Sequence, residues 1–316
     1  MRKLGKRVLS LLLILTLSLS LSACNRQDNW NENEGKKRVL ATTTMLVDLV
    51  KQLAGDNVHV TGLIGLGIDP HEFEPTARDM KRLKDADMVV YSGQHLEGKM
   101  TDIFEKLDEI GVNVVEGTGE IDKSDLMRWE SDEAGAGPYD PHVWNSIMLW
   151  KQVTDNVSKN LQELLPEAKE EIIENTKNYQ KQLDDLDKWI GQEVDKIDSD
   201  TKYLVTAHDA FGYLSRDYGF VVKAIQGIST ETEATTRDIE DLAKFIYEND
   251  VKSIFLETSV PTRNAQALQE AVKNMGKDVE IGGELYSDSL GDEESGADTY
   301  TEMMRINIKT IVDALK

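Results

Sequence analysis

From Pro166 to about Ile197 the chain has no internal proline and no glycine before Gly191, and its apolar residues Tyr179, Leu183, Leu186, Ile190, Val194 and Ile197 step by four and three. Steps of that size put side chains on one face of an α-helix, so the segment reads as a single helix of roughly 30 residues, about 45 Å long at 1.5 Å per residue. Such a helix can run the length of everything folded on either side of it. A coiled-coil segment would show the same steps, but this stripe is brief and its flanks have a different pattern.

Those flanks alternate short β-branched runs with longer helical ones, the mark of α/β layers on mostly parallel sheets. Before the long helix, strands are expected at Val39 to Thr43, Val58 to Ile64, Met88 to Tyr91 and Val112 to Val115. Helices are expected there at Met45 to Ala54, Thr76 to Lys84, Glu97 to Leu107 and Trp144 to Leu165, the last closed by Pro166. After it, strands are expected near Tyr203 to Thr206, Val221 to Ile225, Ser253 to Glu257 and Val279 to Ile281. Their helices are Ala210 to Tyr218, Thr236 to Asn249, Ala265 to Met275 and Thr299 to Leu315. The expected fold class is therefore α/β: two (βα)4-type lobes, residues 38–165 and 199–316, joined by one long rigid helix over 166–198. Gly135-Ala136-Gly137-Pro138, after the acidic Glu130-Ser131-Asp132-Glu133, reads as a surface loop within the first lobe.

The N-terminus opens Met-Arg-Lys-Leu-Gly-Lys-Arg, and from Val8 to Ala23 every residue is apolar, Ser or Thr. That is the basic head and hydrophobic run of a secretory signal, too short to span a bilayer comfortably. It ends Leu21-Ser22-Ala23-Cys24, with the only cysteine in 316 residues placed just after small ones. This ending resembles the bacterial lipoprotein processing box, with residues 1–23 removed and Cys24 acylated. An ordinary signal peptide with an incidental cysteine is the plainer alternative. Disulfides cannot hold a one-cysteine chain together, so stability must come from a buried core. The polar stretch over 24–37 lacks apolar periodicity and reads as a flexible tether.

Lys and Arg number 36 and Asp and Glu 58; loss of the signal with Arg2, Lys3, Lys6 and Arg7 and no acid leaves 32 against 58, a net charge of −26. Nucleic acid is excluded as a partner, because its phosphates would be repelled.

Of the five histidines, His59 sits in an alternating strand, and His95 in a strand-to-helix connection that could face a cleft. His71 and His142 share one local sequence, Asp69-Pro70-His71 and Asp140-Pro141-His142. The proline fixes its own φ just before the imidazole, leaving the side chain little freedom to lose on binding a metal. A turn would explain Asp-Pro but not a histidine following it twice. His208 lies in Thr206-Ala207-His208-Asp209-Ala210, where a strand ends and a helix begins, the place at which α/β sheets bind ligands. A fourth, oxygen donor is available in the loop after the last strand, where Asp288, Asp292, Glu293 and Glu294 all stand. The residue chemistry does not choose among them.

Taken together, the segments Gly67 to Thr76, Ser92 to Met100, Asp140 to Trp144, Thr206 to Phe211, Gln226 to Thr230, and Tyr286 to Leu290 with Asp298-Thr299-Tyr300 resemble the metal-binding lipoproteins of bacterial manganese and zinc ABC importers, the cluster A-I substrate-binding family. The resemblance covers nearly all of residues 24–316. It implies a metal site in the cleft between lobes, with His71 and His142 from the first and His208 and Asp288 from the second. Glu74, Asp209 and Glu257 are expected to hold ligating imidazoles by their other N–H. Mn(II) or Zn(II) is then cargo rather than cofactor, an ABC permease the partner, and a monomer lipid-anchored outside the cytoplasm through Cys24 the working form.

Three imidazoles and a carboxylate suit borderline ions, and a bidentate Asp raises the coordination number toward what Mn(II) accepts. Many manganese-type members carry Glu where His208 stands. Zinc-dedicated members often carry a His-rich loop between the first two ligand segments, whereas residues 117–139 hold no His. The surroundings of Glu97-Gly98-Lys99-Met100 and His208 look most like the manganese-type branch that uses His there, so Mn(II) is favoured and Zn(II) expected to bind in vitro. A zinc-dependent hydrolase is the rival reading, but no His-Glu-x-x-His or comparable signature appears. A surface adhesin on the same fold is another.

Overall fold

The computed structural model of the chain describes residues 35–129, 136–199 and 201–316. The signal segment, Cys24, the tether up to residue 34 and the acidic run Glu130 to Glu133 lie outside the described residues. The first lobe runs β1 (Lys37–Ala41), α1 (Thr44–Ala54), β2 (Val58–Gly62), α2 (Ala77–Asp85), β3 (Met88–Tyr91), α3 (Thr101–Glu109), β4 (Asn113–Glu116) and α4 (Ile147–Leu164). Its four strands lie in the order β2-β1-β3-β4, all parallel. Helices cover both faces, and Val39, Leu40, Val89 and Val90 are accordingly fully buried.

The long helix α5 spans Lys169–Val194, after a short 3-10 turn at Pro166–Ala168. Its stripe of Ile172, Tyr179, Leu183, Leu186, Ile190 and Val194 is buried, each such side chain contributing about 1.5–3 kcal/mol. Near its start Asn175 Nδ2 donates to Leu53 O of α1 at 3.1 Å. Near its end the Trp189 ring lies 4.8 Å under the guanidinium of Arg305 on α9 (Tyr300–Leu315). The stripe belongs to one core that includes Val39 and Leu49 from the first lobe and Met303 and Ile308 from α9. The lobes therefore share a hydrophobic seam along α5.

The second lobe continues β5 (Lys202–His208), α6 (Gly212–Tyr218), β6 (Phe220–Gln226), α7 (Thr236–Glu248), β7 (Ser253–Glu257), α8 (Arg263–Asn274) and β8 (Glu280–Leu285) before α9. β5 pairs β6 and β7 pairs β8, both parallel, with β5 lying beside β7.

Most boundaries shift by a few residues from those the sequence suggests, and three of the shifts have a clear local reason. α3 begins at Thr101 rather than Glu97, because the Glu97 carboxylate turns back to accept from Ser92 N at 2.8 Å and Thr42 Oγ1 at 2.5 Å. β8 runs on through Gly282 and Gly283, which break the β-branched pattern; a Cβ on Gly282 would stand 2.8 Å from Ala314 Cβ of α9. β5 extends to His208, so that residue closes a strand instead of opening a helix.

Candidate metal centre

His71, His142, His208 and Asp288 all stand in loops at, or at the tips of, the carboxyl ends of strands, where open α/β sheets place ligands. Second-lobe loops meet first-lobe loops there: Gly67 N donates to Ser289 Oγ at 2.9 Å and Leu290 N to Thr44 Oγ1 at 2.8 Å.

Each Asp-Pro-His loop closes on itself. Asp69 Oδ1 accepts from His71 N at 2.9 Å, and Asp140 Oδ1 accepts from His142 N at 2.9 Å. The proline between them has no N–H to compete, so the aspartate turns the chain and aims the imidazole. His208 is held from a neighbouring strand, since Glu257 Oε1 accepts from Ala207 N at 2.7 Å and His208 N at 2.9 Å. Asp288 Oδ2 accepts from Ser259 Oγ at 2.9 Å.

These four side chains are buried, and one ligand atom from each lies within 4.8 Å of all the others. His142 Nε2 is 3.2 Å from His71 Nε2 and 3.3 Å from His208 Nε2. Nitrogens 2.0–2.1 Å from a tetrahedral ion stand about 3.3–3.4 Å apart, which is nearly this spacing. Asp288 Oδ1 is 3.7 Å from His142 Nε2 and Oδ2 is 3.4 Å from His208 Nε2. Both carboxylate oxygens face the imidazoles, and Oδ1 is buried without a hydrogen-bond partner.

The outward nitrogens fix the tautomers. His142 Nδ1 lies 2.8 Å from Asp140 Oδ1 and His208 Nδ1 2.5 Å from Glu257 Oε2. A carboxylate only accepts, so each Nδ1 carries a proton and each Nε2 faces the centre, where its lone pair is available to an ion once that nitrogen is unprotonated. Lone pairs converging on a bare carboxylate oxygen repel one another unless a cation lies between them.

Charge in the cluster follows the same logic. Burial, helped by His142, pushes the His71 imidazole down to about 3, leaving it neutral. Burial also opposes charge on His208, but Glu257 and Asp288 outweigh it and push that pKa up. For Asp288, burial is outweighed by His208, then His142 and His71, which hold the carboxyl well below the usual range. A divalent ion among these groups would replace any proton on the inner nitrogen of His208 and free its lone pair for coordination.

Of the residues expected to support the ligands, Glu257 stands against His208. Glu74 instead lies on the surface, its side chain 77% exposed and 3.5 Å from Lys99 Nζ. Asp209 is half-buried and donates its N–H to Gly227 O at 3.1 Å; its side chain lines a separate depression with Trp129 and Gln226. Asp209 lies one residue beyond the end of β5. His59 is half-buried on β2 and His95 exposed. Asp69, Asp140 and Ser259 went unnoticed in the sequence, though the first two were visible as the constant member of Asp-Pro-His.

The sequence model of one family, described as zinc-uptake complex component A, periplasmic (ZnuA), matches residues 39–314. The zinc-binding protein TroA of Treponema pallidum is 42% identical over 283 residues, 89% of this chain and 90% of its own. The manganese-binding lipoprotein MntA of Bacillus subtilis is 38% identical over 296 residues, covering 93% of this chain and 95% of its own. The solved structure of the periplasmic zinc-binding TroA superposes with a TM-score of 0.85, covering 89% of this chain and 99% of that one. These relatives are named for binding and not for catalysis, and the hydrolase reading is set aside. The chain belongs to the ZnuA family of substrate-binding components of metal ABC importers.

Proposed function

We propose that this protein captures a divalent transition metal with His71, His142, His208 and Asp288 outside the cytoplasm and hands it to an ABC permease. The observation that carries the reading is the convergence of four buried ligand atoms, three of them imidazole nitrogens, within 4.8 Å. The cargo proposed is Mn(II), with Zn(II) binding at the same place. Donor type alone does not separate the two, since affinity order favours zinc at almost any such site. The Asp288 carboxylate, with both oxygens toward the imidazoles, can supply a fifth donor, and a higher coordination number suits Mn(II) better than a closed tetrahedron.

The proposed arrangement divides the chain as read from the sequence: a signal over 1–23, a tether over 24–37, lobes at 38–165 and 199–316, and the linking helix 166–198. Cys24 carries the lipid that keeps the receptor beside its permease. Because the lobes share a core along α5, metal stiffens the cleft through a small closure and not a wide swing.

Elemental analysis of protein purified from its native host tests the cargo. Manganese at about one equivalent supports the reading; zinc alone or no metal overturns that part of it. Cys24→Ala should release the protein from the membrane fraction, and retention would overturn the anchor.

A further inference from the structure

The segment Gln226 to Thr230 contributes no ligand, yet it reaches the loop that does. Thr230 is buried, and its Oγ1 donates to Asp69 Oδ2 at 2.5 Å across the boundary between the lobes. The other oxygen of that carboxylate accepts from His71 N at 2.9 Å. One carboxylate thus joins a second-lobe hydroxyl to the backbone of a first-lobe ligand. The backbone of the loop that carries this hydroxyl is tied to the end of β6, since Gln226 Nε2 donates to Thr232 O at 3.2 Å.

We propose that Thr230 is a positioning residue for metal: through Asp69 it holds the His71 loop against the second lobe, and the bond between them must break before the ion can leave. This inference rests on His71 being a ligand. The hydrogen bonds that His71 makes among the described residues run through its backbone N–H and Nε2, whereas His142 and His208 are each also gripped at Nδ1 by a carboxylate. His71 is therefore the ligand whose place depends most on its loop. That loop has few other ties to the second lobe, chiefly Gly67 N on Ser289 Oγ, and its neighbours Leu66 and Ile68 are 51% and 48% exposed. A hydroxyl bonded to a largely buried carboxylate is a stronger tie than a neutral pair, and it is directional. Breaking it frees Asp69, then His71, and leaves the other three ligands where they are.

The test compares Thr230→Val, which keeps the shape and removes the donor, with Thr230→Ser, which keeps the donor. Full-length protein is loaded with Mn(II) and, separately, Zn(II), and release is followed after adding excess chelator. The expected result is release about tenfold faster from Thr230→Val, with Thr230→Ser within about twofold of wild type. Amide exchange at His71 should quicken in Thr230→Val alone, and all three proteins should remain folded without metal, with Thr230→Val melting somewhat lower because Asp69 loses a buried partner. Wild-type release from Thr230→Val, or equal acceleration in the serine variant, would overturn the inference. Failure of wild-type protein to take up either ion would instead overturn the ligand assignment.

Discussion

The two Asp-Pro-His loops are alike in sequence and unlike in setting. Around His142 everything is fastened. Asp140 is buried and grips both the backbone N–H and Nδ1 of His142, Tyr213 Oη donates to Asp140 O at 2.9 Å, Trp144 Nε1 donates to Ser287 O at 2.8 Å, and Asn145 Nδ2 donates to Ala210 O at 2.8 Å. Around His71 the aspartate grips only the backbone N–H, and residues just before it are half in solvent. The same tripeptide is therefore fastened through backbone and ring in one place and through its backbone N–H alone in the other. Local sequence aims an imidazole, but its surroundings decide whether it can move away.

This contrast yields graded effects. The largest is expected at His142, whose Nε2 stands within 3.7 Å of ligand atoms on all three other residues. His142→Ala should abolish measurable Mn(II) and Zn(II) binding in calorimetry. His71→Ala should retain weak binding, perturbed about a hundredfold, since three ligands stay in place. Equal losses in the two variants would break the comparison.

Next come the supports. Asp140→Asn should weaken metal affinity about 10–100-fold by loosening the His142 ring. Asp69→Asn, which still offers an oxygen to His71 N, should cost less at equilibrium and act mainly on the release rate in a chelator chase. A reversed order would place the mobile ligand at His142.

Tyr213→Phe strips an acceptor from Met127 N and a donor from Asp140 O, so unfolding in urea should show a loss of about 1–3 kcal/mol with only a modest change in affinity. Smallest of all, Ile68→Ser at the open loop should shift stability by less than about 0.5 kcal/mol. A large penalty there would mean the His71 loop is packed as firmly as its counterpart.

Much of this was legible from the chain. The stripe Tyr179 to Val194 gave the long helix because its period is set by burial on one face, and that burial is what the fold shows. Both Asp-Pro-His motifs and His208 could be singled out by type and position. Asp288 could not, because a carboxylate in an acid-rich loop looks like its neighbours, and only resemblance chose it. The support for the imidazoles was harder still. Glu257 lies at the end of β7 and reaches His208 only because β7 lies beside β5, a neighbourhood that no short-range pattern encodes. Glu74, close to His71 in sequence, is carried out to solvent. Nearness along the chain is a poor guide wherever partners are brought together by strand order.

Metal should also report on the whole molecule. At a hundred times its dissociation constant, an ion that binds only the folded form adds about 2.7 kcal/mol, a rise of roughly 4–5 °C in melting temperature for a chain of this size. A melting curve indifferent to Mn(II) and Zn(II) would count against any site closed by both lobes.

The most direct measurement is an anomalous-difference map from crystals grown with zinc or manganese. One peak is expected among His71 Nε2, His142 Nε2, His208 Nε2 and the Asp288 carboxylate, about 2.0–2.2 Å from each for zinc. A dominant peak elsewhere, or one bonded to only one or two of these residues, would contradict the account.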